Sequence, residues 1–202
     1  MKRSAYSLFT ALAIAASLPL AAQAAGSPAE VQSGHYAVEP SHTQVGFSVL
    51  HFGFTNYAGV FSNVSGTLEL NAKTPAASSL SVTIPVASVQ TTSDVLNGEL
   101  KGAEWFDVEK FPNATFVSTS VKLTGKSDAV VAGNLTIHGV TKPETLKVHF
   151  IGAGVNPLDK KYTTGFEATG TVKRSDFGVS KYVPYVSDEV TLRIAGAFEK
   201  KD

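Results

Sequence analysis

Residues 43–52 read Thr43-Gln44-Val45-Gly46-Phe47-Ser48-Val49-Leu50-His51-Phe52. Val45, Phe47 and Val49 fall on one side of an extended chain, and Gln44, Gly46 and Ser48 on the other. A two-residue period is the mark of a strand with one face on a core and one in water, and hence of antiparallel pairing. The pattern repeats outward from here. Residues 35–39 form a strand stopped by Pro40, and residues 57–71 carry Val60, Val64, Leu68 and Leu70. Leu80 and Ile84 alternate with Ser81 and Thr83, and residues 113–123 are rich in Thr, Ser and Val. Residues 129–138 and 145–151 flank Gly139-Val140-Thr141-Lys142-Pro143, which reads as a hairpin connection; Leu146, Val148 and Phe150 share a face of the second arm. Residues 162–172 and 189–198 complete the set. One segment alone reads as helix: Ser93 can cap it, Leu96, Leu100 and Ala103 share a face, and Gly98 and Gly102 weaken it. About eight strands and one short helix predict an all-β fold, a barrel or a sandwich. An eight-stranded barrel is just wide enough to hold one small or elongated ligand, and 12 Phe would make its interior apolar.

The start of the chain has a different character. Lys2 and Arg3 precede an apolar run over residues 8–22, and Ala22-Gln23-Ala24 follows. These are the three parts of a secretory signal peptide, with cleavage expected after Ala24. The run is shorter than the roughly 20 residues that span a bilayer, and Pro19 interrupts it. The expected organisation is a signal peptide over 1–24, a flexible leader over 25–34 and one domain over 35–202, working in the periplasm. Without Lys2 and Arg3 the chain carries 15 basic and 17 acidic residues, so nothing points to a nucleic-acid partner. There is no cysteine, which excludes thiol catalysis and zinc–thiolate sites.

Catalytic signatures are missing: no G-x-S-x-G, no H-E-x-x-H, no P-loop. The five histidines are His35, His42, His51, His138 and His149. His42 and His51 lie nine apart and would face opposite ways in one strand, so no metal pair is expected; these two are the acid/base candidates of an enzyme reading. Glu104, Asp107 and Glu109 bracket Trp105-Phe106 and read more simply as turn or surface residues. Arg174 and Asp176 read as an ion pair or turn cap. The aromatic groups carry the stronger signal. Phe47, Phe52, Phe54, Tyr57 and Phe61 form one, Trp105, Phe106, Phe111 and Phe116 a second, and Phe166, Phe177, Tyr182 and Tyr185 a third. They read either as filled core or as the lining of a pocket for a long apolar ligand.

Several stretches, in order, resemble the YceI-like family of bacterial periplasmic proteins. They are Tyr36-Ala37-Val38-Glu39-Pro40-Ser41-His42 running on to His51, Gly59-Val60-Phe61 with Gly66-Thr67-Leu68, residues 100–106 with 111–116, residues 133–143, and Gly165-Phe166 through Arg174-Ser175-Asp176-Phe177-Gly178 to Asp188-Glu189-Val190. Glu39 stands where many relatives carry Asp. The resemblance implies an antiparallel, lipocalin-like β-barrel with an apolar tunnel, no catalytic residue and no metal or cofactor. It implies a bound polyisoprenoid or similar amphiphilic lipid, such as a polyprenyl phosphate or a quinone tail, and it admits a transient membrane contact and a homodimer. The expected ligand-binding residues are Phe47, Val49, His51, Phe52, Phe54, Tyr57, Phe61, Trp105, Phe106, Phe116, Phe150, Phe166 and Phe177. Residues 93–111, with Trp105, are the expected lid. Two other readings remain: an enzyme or stress-related factor acting on an apolar substrate through His42 or His51, and a non-enzymatic partner of a membrane electron-transport protein.

Overall fold

The computed structural model describes residue 26 and residues 28–201; the expected signal peptide lies outside the described residues. Ten strands follow in chain order: β1 Gly34–Val38, β2 Gln44–His51, β3 Thr55–Phe61, β4 Ser65–Leu70, β5 Ser79–Pro85, β6 Asn113–Leu123, β7 Asp128–Ile137, β8 Val140–Val155, β9 Tyr162–Lys173 and β10 Val186–Lys200. Helix α1, Asp94–Lys101, stands between β5 and β6. Every pairing is antiparallel, in the order β1-β4-β5-β6-β7-β8-β9-β10-β2-β3. Because β1 also pairs with β10, eight strands close into a barrel and β2–β3 continues from β10 as a flanking hairpin.

Closure depends on the length of β10. Its C-terminal part pairs with β1 from Val38↔Phe198 to Tyr36↔Lys200, and the rest of the same edge pairs with β2 from Ala195↔Gln44 to Val186↔His51. Between the two partners the ladder would lose a rung at Ala197. Thr43, 6% exposed, fills it: its hydroxyl accepts from Ala197 N–H at 3.0 Å and donates to Ala197 O at 3.2 Å. Thr43→Val keeps the shape and strands the Ala197 N–H. An unsatisfied buried donor costs about 1–3 kcal/mol, so urea denaturation should show a loss of that size, and Thr43→Ser should recover most of it.

Three expectations change. Residues 57–71 are not one strand but β3 and β4, separated at Asn63, whose φ is 56°, beside the buried Val64. The hairpin expected over 139–143 turns earlier, at His138-Gly139, with φ of 51° and 75° and Ile137↔Val140 as the last pair. Two left-handed residues match the twist of the flanking strands, and a Cβ at Gly139 would lie 2.5 Å from the Phe111 ring. Pro143 is therefore inside β8, opposite Asn134, where β8 has a neighbour on one side only, a position that tolerates a missing N–H. Residues 28–34 are docked and not a loose leader. Val31 is buried, Tyr36 donates its hydroxyl to Gln32 O at 2.6 Å, and Lys200 Nζ donates to Gln32 Oε1 at 2.9 Å. Composition misses this because one anchor, Lys200, lies 168 residues away in sequence.

Helix α1 starts after Ser93 as expected but stops at Lys101 with Gly102 as its C-cap, so Ala103 lies beyond it. Ser93 Oγ accepts from Leu96 N–H at 3.3 Å, and Leu100 is buried.

Candidate functional site

The inward stripes of the strands do not fill the barrel. Leu68 and Leu70 of β4, Leu80, Val82 and Ile84 of β5, Val131 and Leu135 of β7, Leu146, Val148 and Phe150 of β8, Phe166 and Ala168 of β9, and Leu192 and Ile194 of β10 surround a cavity of ≈ 250 Å³. β6 adds Phe116 and, past a bulge between Ser118 and Ser120, Val121 and Leu123. The Phe116 ring lies across Gly133, where any Cβ would meet it at 2.4 Å, so this wall is shaped by a missing side chain.

The two ends differ. At one, the wall reaches exposed Leu123, Lys126 and Asp128 in the β6–β7 turn, Asn71 to Ser78 in the β4–β5 connection, and Pro28 and Val31. This end is the mouth. The other is plugged. Val89, Leu100, Trp105 and Val179 form a buried cluster with Phe47, Phe61, Leu96 and Phe106 packed on it. Arg174, 7% exposed, ties the plug together. It donates from Nε to Ser187 O at 2.9 Å, from Nη1 to Val179 O at 2.9 Å and from Nη2 to Val186 O at 2.8 Å, and its guanidinium stands 5.6 Å from the Trp105 ring. Burial pushes the Arg174 pKa down, partly offset by Asp188. Arg174 thus bonds carbonyls, and not Asp176 as the sequence suggested.

The thirteen expected binding residues divide by position. Phe116, Phe150 and Phe166 line the cavity. Phe47, Val49 and Phe177 pack with Val131, Leu135, Val172 and Val190. Phe61, Trp105 and Phe106 belong to the plug; Phe61 lies 5.4 Å from Phe47 and 5.6 Å from Phe106, ring to ring. His51, Phe52, Phe54 and Tyr57 lie outside, around the β2–β3 turn: His51 contacts Phe52 at 4.5 Å and Tyr57 at 6.1 Å, and Phe54 is 87% exposed. No residue of 93–111 lines the cavity; Leu96, Leu100, Trp105 and Phe106 of the expected lid pack in the plug.

The histidines lie outside the cavity wall, and three of them are paired with carboxylates. His42 Nδ1 is 2.5 Å from Glu39 Oε2 with its ring 79% exposed, His149 pairs with Asp128 at 2.8 Å, and His35 with Glu69. Burial raises the Glu39 carboxyl, but hydrogen bonds from Ser41 and His42 outweigh it and hold the group below its ordinary pKa. His138 packs on Phe111 at 4.5 Å. Glu104, read as a turn or surface residue, is paired with Lys181 at the surface. Two features were missed. One is the aliphatic majority of the wall. The other is Glu144, which the two-residue period of β8 places on the same stripe as Leu146, Val148 and Phe150. Burial, and then Asp176, raise its pKa.

Comparison with known proteins agrees with this architecture. A family model described as a YceI-like domain matches residues 36–198. Protein YceI of Salmonella arizonae is 40% identical over 157 residues, covering 78% of this chain and 81% of that protein. Among solved structures, BcnA of Burkholderia cenocepacia superposes with a TM-score of 0.72 at 27% identity, over 79% of this chain and 98% of BcnA. A polyisoprenoid binding domain from Saccharophagus degradans has a TM-score of 0.61 at 15% identity, over 84% of this chain and all of that one, a likeness of fold. With a closed antiparallel barrel, one α-helix among the described residues and a match that runs from β1 to β10, the chain belongs to the YceI-like family.

Proposed function

We infer that this protein is a periplasmic carrier that holds a polyisoprenoid or isoprenoid quinone in the barrel and performs no chemistry on it. One observation carries the reading: a closed barrel whose interior is an apolar cavity with a mouth at one end and a plug at the other. Burying a prenyl chain there contributes about 0.8 kcal/mol per CH₂-sized unit, so useful affinity needs few polar contacts. The likeness in fold to a polyisoprenoid binding domain supports the same ligand class. The mouth end also presents exposed apolar side chains, Leu123 on its rim and Ile151, Val155 and Leu158 on the β8–β9 hairpin that extends past it. An apolar cargo would be collected there from a membrane surface, by transient contact.

The test is mass spectrometry of organic extracts of the protein purified from its native periplasm without detergent. A stoichiometric prenyl lipid or quinone is expected. An empty extract, from a protein that also fails to take up added quinones or polyprenols, overturns the reading.

A further inference from the structure

The cavity wall is interrupted by charge at one place away from its mouth. Along β8 the inward positions run Phe150, Val148, Leu146 and then Glu144, so an apolar stripe ends on a carboxyl. Phe150 marks the mouth, since its N–H donates to Ser127 O at 2.8 Å. Glu144 is six residues away along the strand, about 20 Å at ~3.3 Å per residue. The β8–β9 ladder has stopped by this depth: its last pair is Lys147↔Thr169, although β8 still pairs with β7 and β9 with β10. The two strands part, and Thr145 and Thr171 border the cavity beside Glu144.

Glu144 makes no hydrogen bond or ion pair among the described residues, and its charged neighbour, Asp176, has the same sign. Lys126, the one cation of the wall among the described residues, is at the mouth. Half-buried on the cavity wall, the Glu144 carboxyl is free to pair with the polar end of a bound chain.

We propose that Glu144 is the head-group determinant of this cavity: it accepts prenyl ligands whose polar end is uncharged, a quinone or an alcohol, seated at Glu144, and rejects those ending in phosphate. This rests on the carrier reading above and narrows it. A protonated carboxyl donates to a quinone carbonyl or to a hydroxyl, and an ionised one accepts from a hydroxyl, so an alcohol pairs with either state and a quinone with the protonated one. A phosphate brings negative charge beside Glu144 and Asp176, whereas Lys126 is at the mouth and the exposed Lys142, two residues along β8, does not line the cavity.

The probes are farnesol, a short-tailed ubiquinone and farnesyl phosphate, each competed against a bound fluorescent prenyl probe. The native protein should bind both neutral ligands at least about tenfold more tightly than the phosphate. Glu144→Lys should reverse that order, and Glu144→Gln, the conservative variant, should keep the neutral ligands within about threefold of the native affinity. The inference is overturned if the native protein binds farnesyl phosphate as tightly as farnesol, or if Glu144→Lys, shown folded by circular dichroism, keeps the native order. Failure of the folded native protein to bind any of the three removes the carrier reading, and this inference with it.

Discussion

Ala168→Trp is expected to abolish prenyl-lipid uptake, lowering affinity by at least about a hundredfold, while leaving the barrel folded. Ala168 lies midway along the lumen, opposite Val148 of β8 and Ile194 of β10, and its methyl group faces the cavity. An indole there occupies the space a prenyl chain would need. Overpacking a filled core costs about 1–3 kcal/mol, but this side chain enters an empty apolar volume and gains buried area in return. Lipid content after native purification, set beside a thermal melt, checks both halves. Unchanged lipid in a folded variant would mean that the cargo is held elsewhere.

Arg174→Ala should reduce the unfolding free energy by about 3 kcal/mol or more, because each buried carbonyl left without a donor costs about 1–3 kcal/mol. Three carbonyls, of Val179, Val186 and Ser187, lose their donor at once, and the Trp105 ring loses the guanidinium beside it. Arg174→Lys should recover only part, because an ammonium cannot serve three acceptors fixed in the plane of a guanidinium. Urea denaturation measures it as a lower midpoint at unchanged slope. A loss below about 1 kcal/mol would show that the plug is held by its apolar contacts alone.

These two variants act at the parts of the molecule that differ most in how far the sequence revealed them. The lumen was visible in the two-residue period. Leu146, Val148 and Phe150, read as one face, all line the cavity, and Val45 of the opening stretch does too. The period also reached Glu144, but a reading that followed apolar residues stopped one step short of it. The plug was hidden. Phe61, Trp105 and Val179 are distant in sequence and meet because the β5–β6 connection and the loop before β10 fold over the same end. Aromatic clustering signals burial without saying whether the rings surround a space or fill one, so Trp105 read as a lid and Phe52 and Phe54 as lining. The divergence of β8 from β9 depends on where a ladder stops, which residues on one strand do not encode.

The double use of β10 also constrains the order of assembly. Val38 meets Phe198, so the last seam joins residues 160 apart in sequence, the two ends of the domain. Hairpins such as β6–β7 and β7–β8 bring together near neighbours and can form early, whereas this seam carries the entropy of the longest loop. A chain still emerging from a ribosome lacks the strand that would close it. Until residue 200 is free, the barrel is an open sheet with its apolar face uncovered, and the chain can be threaded but has no lumen to fill.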